Sequence, residues 1–184
     1  MDFQSERLTF KEFGTKDYDL FSSVYSNGQI MRYAYMDQIN SEEEMIEYFN
    51  NVLKNNKDEK KRSIYELAVF LKKERFFIGI AVILMGYHIS KVKHGEIGYF
   101  LLPQFWGKGY ATEISKTLTG ICFRELKVHK VAASCNVNNT SSENIMKKIG
   151  MIKEGELRKE RYKDGGWHNE LRYGILKEEW KEYC

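Results

Sequence analysis

The feature that most constrains this chain is a strand that runs into a glycine-rich turn and then into a helix. Residues 95–113 read GEIGYFLLPQFWGKGYATE, with apolar strand residues first and Gly107 and Gly109 directly before an amphipathic helix. Pro103 ends the strand because proline has no N–H to donate to a sheet. A turn of this kind aims backbone N–H groups and the positive end of a helix dipole at one point. The window therefore predicts a site for an anion such as phosphate.

The spacing of these glycines excludes two common nucleotide-binding loops. A Walker A loop needs a Ser or Thr after its Gly-Lys pair to hold magnesium, whereas Lys108 is followed by Gly109 and Tyr110. A Rossmann fingerprint needs a third glycine three residues after the second, where this chain has Thr112. The predicted anion site therefore belongs to neither loop.

Around this window, hydrophobic periodicity predicts a single α/β domain over residues 1–184. The S-x-x-E capping box at Ser41 marks the start of a helix, Thr15 is expected to cap an earlier one, and residues 54–62 read as a solvated loop. Asp-Gly-Gly at 164–166 marks a hairpin turn, and three successive strands before the glycine window predict an antiparallel meander. The predicted strands are 6–13, 64–71, 76–84, 96–102, 130–136, 151–163 and 167–176, and the predicted helices are 15–25, 42–55, 111–126 and 142–149.

Charge argues against nucleic acid as the main partner. The 184 residues carry 29 Lys and Arg against 26 Asp and Glu, a net charge of +3, which is too small for nonspecific binding of a phosphate backbone. The excess is concentrated in residues 145–172, so this stretch is expected to face an anionic ligand. A weaker alternative is an RNA or ribosome contact through the basic residues from Arg158 to Lys163.

Other sequence features indicate a protein without a metal site and without a membrane-spanning segment. The cysteines Cys122, Cys135 and Cys184 follow no metal-binding spacing. No apolar run approaches the roughly 18 residues of a membrane span. We therefore expect a cytoplasmic protein with reduced thiols.

The glycine window resembles the acyl-CoA-binding motif of the GNAT superfamily of N-acetyltransferases, in which Gln or Arg is followed three residues later by Gly and five residues later by Gly or Ala. Gln104, Gly107 and Gly109 match every fixed position. The preceding Glu-Ile-Gly-Tyr strand and the WGKGYATE continuation resemble the RimJ/RimL-type branch, whose members include N-terminal acetyltransferases of ribosomal proteins.

A second block of resemblance follows downstream. Residues 139–142 and 148–151 resemble the N-x-x-S and K-x-G-F blocks of that branch, with Met151 in place of the aromatic residue. Glu-Arg-Leu at 6–8, the D-G-G-W turn and Glu-Trp at 179–180 also fit, so the resemblance covers residues 5–180. It implies a GNAT-like fold: a mostly antiparallel mixed sheet, splayed at an acyl-CoA cleft beside a bulge, with helices on both faces.

The cosubstrate that the resemblance implies is acetyl-CoA, held mainly by backbone groups. The strand end at 100–102 would hydrogen-bond the pantetheine arm, and the N–H groups of residues 104–111 would hold the pyrophosphate. Asn139 would also bind pantetheine, and Lys147 or Lys148 would pair with the 3′-phosphate unless these lysines are only solvated helix charges. The implied cofactor-binding residues are Phe100, Leu101, Leu102, Gln104, Gly107, Lys108, Gly109, Tyr110, Ala111, Asn139, Ser142 and Lys148.

Acetyl transfer to an amine requires a base and a stabilised oxyanion. Glu96 is the favoured base, because a carboxylate on an apolar strand is expected to be buried, which would raise its pKa. The alternatives are a structural Glu96 with water as the base, and His94 from an exposed loop. By analogy with the family, the backbone N–H of Leu102 would stabilise the oxyanion.

The acid that protonates the departing thiolate is where the sequence departs from the family pattern. Met146 stands at the position where many relatives have a tyrosine, and methionine cannot donate a proton. Ser142 is the nearest replacement, with a helix N-cap or a CoA-positioning hydroxyl as its alternative role. Tyr99 and Tyr110 are further candidate donors.

We therefore expect an N-acetyltransferase that acetylates a primary amine, either a protein N-terminus or a small molecule, by direct attack in a ternary complex. Ribosomal proteins are candidate acceptors and a homodimer is a candidate assembly. The alternative is a noncatalytic acyl-CoA-binding module, for which Met146 is the motive. Tyr33, Tyr35, Tyr48 and Phe49 are expected to line the acceptor cleft, with core packing as the alternative for Phe49.

Overall fold

The computed structural model describes residues 2–57, 62–87 and 92–181. Its elements along the chain are β1 (Asp2–Gln4), β2 (Leu8–Glu12), α1 (Tyr18–Tyr25), α2 (Gly28–Met31), α3 (Glu42–Lys57), β3 (Ile64–Leu71), β4 (Phe77–Tyr87), β5 (Lys93–Leu101), α4 (Tyr110–Arg124), β6 (Lys130–Asn136), α5 (Thr140–Lys148), β7 (Ile152–Lys163) and β8 (Gly166–Leu176).

The strands form one sheet in the order β1-β2-β3-β4-β5-β6-β8-β7. Neighbouring strands are antiparallel except β5 and β6, which are parallel because α4 carries the chain back between them. The predicted mixed α/β class, the meander β3–β5 and the hairpin β7–β8 are thus confirmed. The hairpin turn has positive φ at Asp164 (51°) and Gly165 (75°), as a type I′ turn requires.

Side chains alternate between the two faces of the sheet, and each face is covered by different helices. On β4, Ala81 and Ile83 pack in one core with residues of α4 and α5, whereas Ile80 and Val82 pack in a second core with residues of α1 and α3. We name these the α4 face and the α1 face of the sheet. The predicted helices on both faces are present.

The boundaries of the predicted helices differ from the observed ones by one to three residues, as α1 and α3 illustrate. α1 begins after Asp17 as its N-cap, so Thr15 does not cap it; the Asp17 carboxylate accepts a hydrogen bond from the N–H of Gly14 at 2.8 Å. Ser41 Oγ accepts from the Glu44 N–H at 3.3 Å, as predicted. Because α3 continues to Lys57, the first part of the predicted loop at 54–62 is helical, and residues 58–61 lie outside the described chain.

The end of β4 nearest the glycine loop carries a bulge. Ile78 has no partner on β3, because the register shifts between Val69 and Phe70. Gly79 has φ +152°, and a Cβ there would lie 2.0 Å from the carbonyl oxygen of Phe100. Glycine at this position therefore allows β5 to approach β4 closely. The bulge lies in β4 and not in β5, whose pairing with β4 is in continuous register.

The elements that the sequence did not predict are short: β1, α2 and a 3₁₀ turn at Pro103–Phe105. None of the described helices is both long and apolar enough to cross a membrane.

Candidate active site

The site is built around a gap between β5 and β6. The two strands pair only from His94 to Glu96 on β5 and from Lys130 to Ala132 on β6. Both strands continue beyond this point, β5 to Leu101 and β6 to Asn136. The strands therefore diverge, and one edge of each faces the gap with backbone groups that can hydrogen-bond a ligand.

Strand register decides which backbone groups face the gap. The N–H of Leu102 donates to the carbonyl of Ile78 at 2.9 Å, so it points toward β4. Successive residues alternate in direction, so Leu101, Tyr99 and Ile97 direct their backbone groups toward the gap. The prediction that the Leu102 N–H stabilises the oxyanion is therefore wrong, because that donor is already engaged.

The same alternation corrects the pantetheine prediction for 100–102. Phe100 shares the direction of Leu102, and only Leu101 of the three turns its backbone toward the gap. The carbonyl of Leu101 accepts a hydrogen bond from the indole N–H of Trp106 at 2.7 Å. The Leu101 N–H is then the strand-end donor that faces the gap.

The glycine loop follows directly and is open to solvent. Gly107 and Gly109 have left-handed φ values of 74° and 81°, and Gly109 is the N-cap of α4. Within the described chain no atom lies within 4 Å of a Cβ built on Gly107. Gln104 and Lys108 are exposed, and Tyr110 and Ala111 are partly exposed at the first turn of α4. The loop thus presents a helix N-terminus to an accessible space, which is the arrangement that binds phosphate groups.

A contact with the N-terminal segment holds this loop in place. Arg7 Nε forms an ion pair with Glu113 Oε2 at 2.7 Å, and its Nη1 donates to the carbonyl of Lys108 at 3.1 Å. Ser5 Oγ donates to Glu113 Oε1 at 2.6 Å, and the Arg7 guanidinium lies 4.5 Å from the centre of the Tyr110 ring. Partial burial acts to raise the pKa of Glu113, but the hydrogen bonds from Ser5 and Arg7 outweigh it and hold that pKa below its ordinary value.

Helix α5 brings two predicted residues to the other side of the gap. Asn139 is its N-cap, and the amide oxygen accepts from the N–H of Ser142 at 3.1 Å. Ser142 is therefore not the N-cap, and its hydroxyl lies 3.2 Å from the hydroxyl of Tyr99. Burial raises the pKa of Tyr99, which keeps the phenol protonated. Met146 is 5% exposed and packs in the core on the α4 face.

The two lysines at the end of α5 differ in their contacts within the chain. Lys147 forms an ion pair with Glu143 at 2.8 Å. Lys148 is exposed at the surface. Lys148 is therefore the better placed of the two to meet a phosphate.

Glu96 is not buried as the sequence suggested. Its carboxylate forms an ion pair with Arg172 on β8 at 2.8 Å, and its side chain is 30% exposed. Arg172 also donates to Ser134 Oγ on β6 at 2.9 Å. The cause is the divergence of β5 and β6, which leaves Glu96 at the rim of the gap. His94 lies in β5 rather than in a loop, with its ring over Gly86.

A second carboxylate, Glu66 on β3, is buried on the α1 face. It is 2% exposed, and its Oε1 accepts hydrogen bonds from the hydroxyls of Tyr25 at 2.5 Å and Tyr48 at 2.6 Å. Burial raises the pKa of Glu66, although both phenols act to lower it. The sequence analysis missed this residue. The signal was present, since Glu66 is the one charged residue in the strand IYELAVFL.

The aromatic residues expected at the acceptor cleft divide into two groups. Phe49 is 4% exposed and packs in the core, which was its alternative role. Tyr35 is 47% exposed, and its ring lies 6.4 Å from Phe100 and 6.0 Å from the guanidinium of Arg161. The backbone carbonyl of Tyr33 accepts from Arg161 at 3.4 Å.

The basic stretch at 158–163 is partly engaged within the chain. Arg161 forms an ion pair with Glu170. Lys163 is buried and ties β7 to the loop after α2, because its Nζ donates to the backbone carbonyls of Met31, Ala34 and Met36. This contact supports the loop that carries Tyr35, and it leaves Arg158 and Lys159 as the exposed cations of the stretch.

The two cysteine thiols among the described residues offer no nucleophile. Burial raises the pKa of Cys122 to about 12 and that of Cys135 to about 11, so both stay protonated near neutral pH. Cys184 lies outside the described residues. Among the residues that the structure describes, no cluster of three His, Cys, Asp or Glu could hold a metal ion.

Comparison with known proteins agrees with this geometry. The family model "Acetyltransferase (GNAT) domain" matches residues 7–152. The chain is 32% identical over 182 residues to the uncharacterized N-acetyltransferase YnaD of Bacillus subtilis, covering 98% of this chain and 99% of that protein.

Solved structures show the same fold. A GNAT-family acetyltransferase from Bacillus anthracis matches with a TM-score of 0.79 at 30% identity, covering 97% of this chain and 100% of that one. Spermidine N-acetyltransferase from Vibrio cholerae, in complex with CoA and spermine, matches with a TM-score of 0.82 at 22% identity, covering 95% and 98%. The chain therefore belongs to the GNAT acetyltransferase family, whose cosubstrate is acetyl-CoA.

Proposed function

We propose that this chain transfers the acetyl group of acetyl-CoA directly to a primary amine within a ternary complex formed at the gap between β5 and β6. The observation that carries the proposal is the divergence of these strands after Glu96 and Ala132, next to the two-glycine turn at the start of α4. Together they offer a strand edge for pantetheine and a helix N-terminus for pyrophosphate.

In this proposal acetyl-CoA is held mainly by backbone groups. The pantetheine arm pairs with the edge of β5 at Ile97, Tyr99 and Leu101, and the pyrophosphate meets the N–H groups of the loop up to Ala111. The side-chain amide nitrogen of Asn139 donates to the pantetheine, because the amide oxygen is used in the helix cap. Lys148 meets the 3′-phosphate.

The chemistry needs three groups around the thioester. The nitrogen lone pair attacks the carbonyl carbon, and the Leu101 N–H stabilises the oxyanion in place of Leu102. The carbon–sulfur bond then breaks, and the thiolate takes a proton from Ser142, whose hydroxyl is hydrogen-bonded to Tyr99. Glu96, at the rim of the gap, is the carboxylate on β5 that draws the proton from the amine, directly or through a water.

The acceptor is proposed from two chemical classes. The family resemblance favours the N-terminal amine of a protein, with ribosomal proteins as candidates. The similarity to spermidine N-acetyltransferase favours a small polyamine. Both classes are primary amines that carry a proton at neutral pH, so both need a proton acceptor at the site.

The test is release of free thiol from acetyl-CoA in the presence of a panel of amines. The panel contains spermidine, short peptides with free N-termini and a purified ribosomal fraction, and mass spectrometry identifies the acetylated species. We expect one acetyl group on the acceptor for each thiol released. Tight acetyl-CoA binding with no acetylation of any panel member would instead support the noncatalytic module, which the buried Met146 in the usual tyrosine position favours.

A further inference from the structure

The α2–α3 loop, residues 32–41, takes its shape largely from groups outside it. The N–H of Ala34 donates to the end of α2 and the N–H of Ile39 to the end of α1, both at 3.0 Å. Both side chains are buried in the core on the α1 face. The carbonyls of Ala34 and Met36 accept instead from a side chain of the distant strand β7. The loop therefore depends on β7 for its conformation.

The side chain that holds the loop is Lys163, the last residue of β7. It is only 7% exposed, and its ammonium donates to the carbonyls of Met31, Ala34 and Met36, at 3.3 Å for Ala34 and 3.1 Å for Met36. An ammonium has three N–H donors, and three carbonyls converge on this one. Burial of a cation is costly unless its donors are satisfied. The loop and the ammonium thus fix each other in one arrangement.

The loop crosses the gap between β5 and β6. On one side, the centre of the Tyr35 ring lies 6.4 Å from that of Phe100 on β5. On the other side, Arg161 donates to the carbonyl of Tyr33 at 3.4 Å and forms an ion pair with Glu170 on β8. Strand β8 lies beyond β6 as seen from β5. A loop that contacts both Phe100 and this ion pair must pass over the gap.

Both contacts lie on the α1 face, opposite the proposed cofactor groups. Phe100 packs in the core on the α1 face. Glu170 points the same way, because its neighbour Leu171 packs in the core on the α4 face. Tyr99, which contacts Ser142 of α5, packs against the α4-face core. The cofactor is therefore proposed to approach from the α4 face, which leaves the α1 face, under the loop, for the amine.

The strand below the loop has an open position. Gly98 lies between Glu96 and Phe100 in β5, and alternate residues of a strand share a face. Within the described chain no atom lies within 4 Å of a Cβ built on Gly98. The open position thus has the proposed base on one side and the contact between Phe100 and Tyr35 on the other.

We propose that Lys163 is a positioning residue for the acceptor amine. Its ammonium holds the α2–α3 loop over the gap, and the loop in turn fixes Tyr35 as one wall of the space that receives the amine. This inference rests on the proposed function, since it concerns the amine at the same site. Because its three N–H groups are used within the fold, Lys163 acts through the loop and does not contact the reacting atoms.

The first experiment compares Lys163→Met with wild type, using the fastest acceptor of the amine panel. Methionine keeps an unbranched apolar side chain but removes the three donors. We expect kcat/KM for the amine to fall about 100-fold, because a misplacement of about 1 Å has an effect of that size. Kd for acetyl-CoA, measured by calorimetry, should not change. Lys163→Arg should recover part of the loss, since a guanidinium still donates to carbonyls.

The matched control is Lys159→Met, the same change at an exposed position of β7, which should behave as wild type. All variants are assayed well below the unfolding transition of the least stable one, so that each is folded. Equal kcat/KM values for the amine in Lys163→Met and Lys159→Met would overturn the proposal. A loss of acetyl-CoA affinity as large as the loss of kcat/KM would also overturn it, because such a loss indicates damage to the whole fold.

A second experiment asks whether Lys163 acts through the loop. Tyr35→Ala removes the ring that lies beside Phe100. If Lys163 acts by placing Tyr35, the double variant Lys163→Met/Tyr35→Ala should lose little more kcat/KM than the worse single variant, since the effects of coupled residues do not add. Losses that multiply would show that the two residues act independently, and would contradict the positioning role.

A third experiment needs no acceptor. Amide hydrogen exchange, followed by nuclear magnetic resonance, reports on the N–H groups of Ala34 and Ile39. Lys163→Met should speed exchange at both about 10-fold, as for local opening of the loop, and leave the sheet unchanged. Unchanged exchange at both amides would contradict the anchoring of the loop by Lys163.

These experiments separate failure of this inference from failure of the proposed function. If the proposed function is wrong, wild type itself acetylates no member of the panel. If only this inference is wrong, wild type acetylates an amine and Lys163→Met does so equally well.

Discussion

The two sides of the gap, which we propose hold the cofactor and the acceptor, are built by different means. The cofactor side is one continuous stretch, from the end of β5 through the glycine loop into α4, and it offers backbone N–H groups. The proposed acceptor side is made of side chains from separate elements, such as Glu96 on β5 and Arg172 on β8, which meet only in the folded chain. A ligand shared by a whole family can be held by backbone groups, whereas the choice of acceptor depends on side chains.

The largest expected effect comes from Gly79, the glycine that lets β4 and β5 lie close together beside the gap. Gly79→Ala places a Cβ 2.0 Å from the carbonyl oxygen of Phe100, so β4 and β5 must separate. We expect the free energy of unfolding to fall by about 4 kcal/mol, the range of severe steric mutations. Urea denaturation measures this change. An alanine variant as stable as wild type would mean that the strands are not held this closely.

The next variant, Gly109→Trp, should weaken cofactor binding without affecting the acceptor side. Gly109→Trp puts a bulky side chain on a residue with φ 81°, where the Cβ would also meet the Arg7 guanidinium at 3.5 Å. Acetyl-CoA affinity should fall by about 100-fold, roughly 3 kcal/mol, in a titration calorimetry experiment. Gly165→Trp is the control, because it has a similar φ of 75° on the distant hairpin turn. If the two variants bound acetyl-CoA with equal affinity, the proposed binding of the pyrophosphate at this loop would be contradicted.

A smaller effect is expected from Gly98→Ala, which should weaken amine binding without affecting the cofactor side. Gly98→Ala adds one methyl group to the open space beside Gly98 on β5, which we propose receives the amine. We expect KM for the amine to rise by about 10-fold, because a misfitted methyl group costs roughly 1–3 kcal/mol. The affinity for acetyl-CoA and the stability should stay as in wild type. A change confined to acetyl-CoA binding would place Gly98 on the cofactor side.

The smallest effect concerns the contact between Arg7 and Glu113. Because the folded pKa of Glu113 lies below its ordinary value of 4.5, its stabilisation is fully present above that pH. It is lost as pH falls through the folded pKa. Glu113→Gln should therefore be less stable than wild type by about 1 kcal/mol near neutral pH, and this difference should disappear in acid. Denaturation at several pH values tests this, with the exposed Glu178→Gln as control; a constant difference at all pH values would contradict it.

Sequence reasoning located the glycine loop, because positive φ at Gly107 and Gly109 and a helix N-terminus are local properties. It also placed the strands of the meander and both strands of the hairpin. It chose the Leu102 N–H as the oxyanion donor, although that N–H points toward β4, because the direction of a backbone N–H depends on the hydrogen-bond register between β4 and β5. That register is a relation between two strands and is not encoded in either alone.

The burial of the two carboxylates was also not predictable from the sequence. Glu96 was expected to be buried from its apolar neighbours, but it lies at a rim because β6 turns away and Arg172 arrives from β8. Glu66, in a strand just as apolar, is the one that the fold buries.

The sequence by itself determined the α/β order of elements, the hairpin turn and the glycine loop before α4, since each follows from short-range periodicity, capping and glycine conformation. Only the tertiary structure decided where β5 and β6 separate, which N–H groups face the gap and which carboxylate meets two phenols. Those features join Glu66 to Tyr25 and Tyr48, and Glu96 to Arg172, over separations of 18 to 76 positions in the sequence. Contacts of that kind arise from the packing of strands and helices and produce no periodic pattern in the sequence.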